Sequence, residues 1–304
     1  MKVAIASGKG GTGKTTVAVN LAAVTEGPVT YVDCDVEEPN GHIFLKPTIE
    51  TTKVVGIPVP VVDPDKCTGC GRCAQVCRYN AIACIRDKVL VFAELCHGCG
   101  GCTFACPAHA ISEADHVIGV VEKGHANGIA FIQGRLNVGV AMSPPLIRAA
   151  KGASPSDGTV ILDAPPGTSC PVIASVRGSD FVILVTEPTP FGLHDLTLAV
   201  ETIRQLGLPF GVLINRCDIG DARVHQYCAR EGIPILLEIP DSLRVAEAYS
   251  RGEMLIEAAP ELRPLFSALW QTIQRVGQEN DAKSAAGRQE AASAIKGRNE
   301  YANL

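Results

Sequence analysis

Two groups of residues in this chain are spaced for chemistry. Cysteines stand at 67, 70, 73 and 77 and again at 96, 99, 102 and 106, so CTGCGRCAQVCRYNAI recurs as CHGCGGCTFACPAHAI, shifted by 29 residues (67 to 96). Three thiols at i, i+3 and i+6 with a fourth four residues on suit iron–sulfur clusters. Zinc sites instead separate two C-x2-C pairs by a longer gap. The second group is SGKGGTGKTT, where Gly8, Gly13, Lys14 and Thr15 satisfy G-x-x-x-x-G-K-[ST] between an apolar strand and a helix. Backbone N–H groups along Gly8, Lys9, Gly10, Gly11, Thr12, Gly13, Lys14, Thr15 and Thr16 are expected to cradle phosphate oxygens at a helix N-terminus. Lys14 would reach the β- and γ-phosphates, and the Thr15 hydroxyl would ligate Mg²⁺.

Other polar residues stand at the ends of apolar strands. YVDCD carries Asp33 and Asp35, VILDAPPG carries Asp163 and LINRCD carries Asn215. Taken singly, each carboxylate reads equally as a turn or helix-cap residue. Their order after the phosphate loop gives them a further meaning. The extra lysine, Lys9, in KGGTGKT resembles the deviant Walker A motif of the MinD/ParA/Mrp superfamily of P-loop ATPases, which includes the nitrogenase iron protein. The resemblance covers roughly 1–57 and 114–275. It implies ATP and Mg²⁺ as cofactors, with Lys9, Lys14 and Asp35 as catalytic residues and Lys9 reaching the nucleotide of a partner in a homodimer with ATP at the interface. It implies Thr15, Asp33 and Asp163 around Mg²⁺, and Asn215 at the adenine.

The cysteine runs resemble the bacterial two-cluster ferredoxin pattern, in which the fourth cysteine ligates the other cluster. That resemblance assigns one [4Fe–4S] cluster to Cys67, Cys70, Cys73 and Cys106, and the second to Cys96, Cys99, Cys102 and Cys77. Gly69, Gly71, Gly98, Gly100 and Gly101 allow the tight turns that aim N–H groups at sulfur. Pro107 follows Cys106 as in that pattern, but Arg78 follows Cys77, so the two environments are expected to differ. Cys34, Cys84, Cys170, Cys217 and Cys228 read as small apolar residues. Cys170, seven residues past Asp163, carries a second reading as ligand of a cluster shared across a dimer.

The apolar strands KVAIAS, VTYVD, TVILDAPPG, FVILVTEP, FGVLINRCD and IPILLEIP alternate with helical stretches. The alternation predicts an α/β fold with a mostly parallel, doubly wound P-loop sheet. HVIGVVEKG through NVGVAMS reads as short strands. One face of the helix in GLHDLTLAVETIRQLG collects Leu193, Leu196, Val200 and Ile203. A helix over 261–276, with Leu262, Leu265, Phe266, Leu269, Trp270 and Ile273 in one stripe, is expected to dock on the sheet. The expected domains are 1–57 and 114–276 for the ATPase, 58–113 for a small inserted α+β ferredoxin-like domain with two [4Fe–4S] clusters, and 277–304 for a polar tail, either a loose helix or disordered.

The chain has 304 residues, 46% hydrophobic and 19% charged, with net charge −5 and no Lys/Arg block. Nucleic acid is therefore not an expected partner. Without a signal-peptide pattern or a long apolar run, no membrane insertion is expected and the cytoplasm is the expected location. Thirteen cysteines there read as metal ligands and packing residues rather than disulfides. The functional expectation is an ATP-hydrolysing protein whose nucleotide state acts on electron transfer through the clusters, with an unidentified redox partner protein. Two alternatives stand beside it: an iron–sulfur carrier, although the C-x-x-C of such carriers is missing, and a redox-sensing MinD/ParA-like positioning ATPase.

Overall fold

The computed structural model describes residues 1–277. Of the polar tail expected over 277–304, Gly277 is the last described residue of a helix and the rest lies outside the described residues. Eleven strands form in chain order: β1 Lys2–Ala6, β2 Val29–Asp33, β3 Thr48–Val62, β4 Ile82–Ile85, β5 Lys88–Val91, β6 Ile111–Ala126, β7 Ile129–Leu136, β8 Thr159–Asp163, β9 Phe181–Thr186, β10 Phe210–Asn215 and β11 Ile235–Ile239. The α-helices are α1 Lys14–Val24, α2 Gly41–Leu45, α3 Arg72–Val76, α4 Gly101–Ala105, α5 Pro144–Gly152, α6 Cys170–Val176, α7 Pro190–Gln205, α8 Arg223–Glu231, α9 Leu243–Ser250, α10 Leu255–Ala258 and, over 263–277, α11.

Nine strands make one sheet in the order β11-β10-β9-β1-β8-β2-β7-β6-β3. The pairings from β11 across to β7 are parallel, and β6 and β3 add antiparallel strands at one edge. β2, β9 and most of β1, β8 and β10 are buried on both faces, which is why they read as unbroken apolar runs. One apolar core lies under α5, α6, α7 and α8, with Leu196, Val200 and Ile203 of α7 buried in it and Leu193 packed against it. The other holds Val17 and Leu21 of α1 and Phe266, Leu269, Trp270 and Ile273 of α11. The stripe expected to dock on the sheet does so, except that Leu265 stays 42% exposed. No described helix is long and apolar enough to cross a membrane.

The α/β alternation holds, and three local expectations change. The stretch from the end of β2 to 57, which carries no strand or helix motif of its own and so reads as loop, holds α2 and then most of a 15-residue strand, β3. Pro58 and Pro60 sit inside it because β3 is an edge strand, paired only with β6, where a missing N–H is tolerated. The short strands expected from 116 onward merge into the long β6 and β7. These turn at Asn127 and Gly128, both at positive φ (49° and 83°), as an Asn-Gly hairpin requires. NVGVAMS is not a strand: β7 stops at Leu136, and Pro144 and Pro145 open α5 instead.

The cysteine runs lie between β3 and β6. These strands pair from Thr48↔His125 to Val62↔Ile111, with register shifts between Ile49 and Thr51 and between Val55 and Gly56, and from Gly56 on the ribbon that carries the runs passes through positions 58 and 113 without a break. At its tip, α3 and α4 pack together beside the β4–β5 hairpin over a small core of Cys73, Ile82, Cys102 and Ile111.

Candidate functional site

The phosphate loop leaves the C-terminal end of β1, between β8 and β9. The strand order reverses there, which is the place where open α/β sheets bind ligands. Two glycines are demanded by geometry. A Cβ on Gly8 would collide with the backbone of Asp195 in α7. Gly13 caps α1 at φ 94°, with Asn215 Nδ2 at 2.6 Å from where its Cβ would stand. Ser7 Oγ donates to Lys9 O at 2.5 Å and Gly167 N donates to Ser7 O at 3.0 Å, tying the loop to the segment after β8. Lys14 is buried, and desolvation lowers its pKa although Asp163 and Asp35 pull the other way.

The carboxylates follow from strand register. Asp33 on β2 and Asp163 on β8 are paired positions of neighbouring parallel strands, and Asp163 also pairs with Ile5, just before the loop. Both are fully buried, and burial raises both pKa values; Asp33 rises further because Asp163 stands beside it. Asp33, expected at Mg²⁺, commits both oxygens to backbone donors. Oδ1 accepts from Asp35 N at 3.1 Å, and Oδ2 from Asn40 N at 3.1 Å and Gly41 N at 2.9 Å. It thereby holds the turn that presents Asp35. Asp163 Oδ2 accepts from Tyr31 Oη at 2.9 Å; among the described residues Oδ1 meets no donor in good hydrogen-bond geometry, although the Thr15 hydroxyl stands close enough to the carboxyl to lower its pKa. A buried carboxylate oxygen left free beside Lys14 and Thr15 suits a cation with its water shell, so the residues fit Mg²⁺. Half-buried Asp35 is pushed up to about 6, by desolvation first and Asp163 second, with Lys14 opposing.

Around this centre the structure adds residues that motif reading missed. Lys9 Nζ lies 3.4 Å from Glu187 Oε2, and Arg216 Nη1 lies 3.1 Å from Glu187 Oε1, so one buried glutamate after β9 holds two cations. Lys9 is thus engaged within its own chain. Asn215 Nδ2 donates to Thr12 O at 3.0 Å, placing the expected adenine residue against the phosphate loop. Glu187 had a faint signal, a carboxylate directly after the apolar run FVILVT; Tyr31 had another, a phenol inside a fully buried strand.

The cysteines gather around two cavities. Cys67, Cys70, Cys73 and Cys106 line one, with Val62, Pro107 and Ile111. Cys77, Cys96, Cys99 and Cys102 line the other, with Pro58, Pro60 and Ile82. Each cavity therefore takes three cysteines from one run and the fourth from the other. The runs share backbone shape: Gly69 and Gly98, Gly71 and Gly100, and Asn80 and His109 have positive φ at matching positions. Gly98 N points at Cys96 Sγ (3.4 Å) and Ala110 N at Cys106 Sγ (3.3 Å). Among the described residues no group of three or more His, Cys, Asp and Glu side chains is arranged to hold a single metal ion. Four thiols spread around one cavity, with N–H groups aimed at sulfur, suit a polynuclear group. Arg78 is exposed and lines neither cavity. The second cavity is bordered instead by Tyr79 stacked on His97, ring centroids 3.4 Å apart. Cys170 is exposed at the start of α6 beside Arg148 and Arg177, away from both cavities. Cys34 and Cys228 are buried, with burial raising both thiols, Cys228 to about 11.

Comparison with known proteins agrees with the sheet and loop. Uncharacterized protein MJ0579 of Methanocaldococcus jannaschii is 29% identical over 262 residues, 84% of this chain and 92% of its own length. The cell division ATPase MinD of Pyrococcus furiosus shares the fold with a TM-score of 0.56 at 19% identity, covering 90% of this chain and 98% of its own. The septum site-determining protein MinD of Pyrococcus horikoshii, complexed with Mg-ADP, gives 0.54 at 17% identity, covering 93% and 96%. Residues 3–256, spanning the loop, the carboxylates and the cysteine ribbon alike, match the CobQ/CobB/MinD/ParA nucleotide binding domain, and the chain belongs to that family.

Proposed function

We propose that this chain is a Mg²⁺-dependent ATPase in which the nucleotide state of a P-loop homodimer and electron transfer through two [4Fe–4S] clusters act on one another. On the nucleotide side, the loop N–H groups and Lys14 hold phosphate oxygens. Thr15 and Asp163 hold Mg²⁺, Asp35 orients the attacking water, Asn215 lies toward the base, and Lys9 leaves Glu187 to reach the partner's nucleotide. On the cysteine side, Cys67, Cys70, Cys73 and Cys106 would hold one cluster, and Cys77, Cys96, Cys99 and Cys102 the other. Bound clusters supply one-electron chemistry at low potential, for exchange with a partner protein.

The observation that carries this reading is the continuity of structure between the two sites. Cys96, Ala81, Ile57 and Val59 belong to the same buried apolar core as Cys34, Val36 and Ala164, which flank Asp35 and Asp163. The β3–β6 ribbon joins the sheet through β7, which pairs directly with β2, and Leu136 N donates to Val36 O at 2.8 Å. A packed core shifts between discrete arrangements rather than deforming smoothly, so movement of the Asp35 segment with γ-phosphate is felt at the Cys96 cavity.

The test is anaerobic purification, iron analysis and electron paramagnetic resonance of the reduced protein with and without Mg-ATP, together with ATPase rates of oxidised and reduced protein. About eight irons per chain, and a signal or a rate that changes with the other variable, are expected. Full iron content with no change in either direction would leave only a structural role for the clusters, and a rate that follows redox state without an ATP effect on the clusters would favour a redox-sensing ATPase; iron near zero would remove the cluster assignment.

A further inference from the structure

The Thr15 hydroxyl of the phosphate loop stands near the Asp163 carboxyl, but the donor in good hydrogen-bond geometry with Oδ2 comes from neither that loop nor the backbone. Tyr31 is fully buried in the middle of β2, between Val29 and Asp33, and stacks on Phe131 of β7 with centroids 5.7 Å apart. Its hydroxyl donates to Asp163 Oδ2 at 2.9 Å across the β2–β8 pairing. Room for the phenol is built in. A Cβ on Gly41 would overlap the Tyr31 hydroxyl and ring, and that same Gly41 gives its N–H to Asp33. The ring cannot swing away, because its faces are closed by Phe131 and the surrounding core. The hydroxyl therefore fixes which oxygen of Asp163 stays free, and Oδ1 is the one left without a partner.

We propose that Tyr31 is a positioning residue for Mg²⁺: by occupying Oδ2, it orients the Asp163 carboxylate so that Oδ1 faces the cation's water shell. The inference rests on the assignment of Asp163 to Mg²⁺ above. Partners that orient a metal-binding carboxylate set affinity without touching the metal, typically by 10- to 100-fold. A carboxylate that acted on Mg²⁺ through the metal's water shell would show an effect at the low end, about tenfold.

The test uses the full chain and calorimetry, with MgCl₂ titrated into protein saturated with ADP, alongside ADP binding in EDTA. Tyr31→Phe should weaken Mg²⁺ about tenfold and leave metal-free ADP affinity unchanged, which a general loss of packing would not do. Asp163→Asn should weaken Mg²⁺ at least as much, and in that background the further change Tyr31→Phe should have no effect. Unchanged Mg²⁺ affinity in Tyr31→Phe, with Asp163→Asn impaired, overturns the role of Tyr31 alone. Unchanged affinity in Asp163→Asn removes the metal assignment itself. Should Tyr31→Phe not fold, replacing tyrosine by fluorotyrosine keeps the ring volume and strengthens the donor. A stronger donor both fixes the carboxylate and draws charge from it, so a shift of Mg²⁺ affinity in either direction supports the proposal, and unchanged binding overturns it.

Discussion

Asp35 shows how a single carboxylate ties fold energetics to chemistry. Desolvation and the neighbouring Asp163 push it up to about 6 from 3.8. A raised folded-state pKa means that the charged form costs stability. The cost is absent below the ordinary carboxylate range, grows between about 4 and 6, and is complete above. Asp35→Asn should therefore raise the melting temperature of nucleotide-free protein at pH 8 and leave it unchanged near pH 3.5, as thermal denaturation at the two values would show. In the proposed role the charged form orients water, so kcat/KM for ATP, which reports the free enzyme, should fall as pH drops through about 6. Asp35→Asn should lower activity about 100-fold or more and flatten that acid limb.

At the scale of elements, the short helices α3 and α4 decide which thiols meet. Cys77 directly follows α3, yet lines the cavity of the second run, while Cys106 directly follows α4 and lines that of the first. Losing either fourth cysteine should disturb the cluster of the opposite run. If the cavities hold clusters as proposed, Cys77→Ser is expected to halve the iron content, removing the spectroscopic signal that Cys96→Ser removes and leaving the one that Cys67→Ser removes. Loss of the Cys67→Ser signal instead would break the cross-pairing. Helix α11 makes a different contribution. Phe266 is 0% exposed, in the core shared with β1 and α1. Phe266→Ala should destabilise the chain by about 3–5 kcal/mol in urea unfolding, with the cysteine cavities intact.

For the whole molecule, the grip of Glu187 on Lys9 and Arg216 bears on assembly. If Lys9 serves a second copy, it must leave this pair when the dimer forms. Sedimentation with Mg²⁺ and a non-hydrolysable ATP analogue should show a dimer. Lys9→Ala should keep nucleotide binding, since Lys14 and the loop remain, and should stay monomeric with ATPase activity at least tenfold lower. Wild-type-like assembly and turnover in Lys9→Ala would remove the cross-dimer role.

The parts of this protein legible in sequence are those whose signal is local. A phosphate loop is a run of consecutive residues whose glycines are dictated by backbone geometry, as at Gly13. Strands buried on both faces, such as FVILVT, announce themselves by unbroken apolar character. The C-x2-C-x2-C-x3-C spacing proposes a chemistry before any fold is known. What tertiary structure alone decided are contacts between residues far apart in the chain. It set Asp33 and Asp163 side by side through parallel register and gave Asp33's oxygens to the backbone. It put Tyr31 against Asp163, Glu187 against Lys9, and Asn215 against Thr12. It also turned an expected module boundary at 58 into the middle of a strand, because Pro58 is permitted only where β3 has no second neighbour. Local propensity is written in consecutive residues. Which oxygen of a buried carboxylate remains free depends on every group that surrounds it, and those groups meet only when the sheet closes its register.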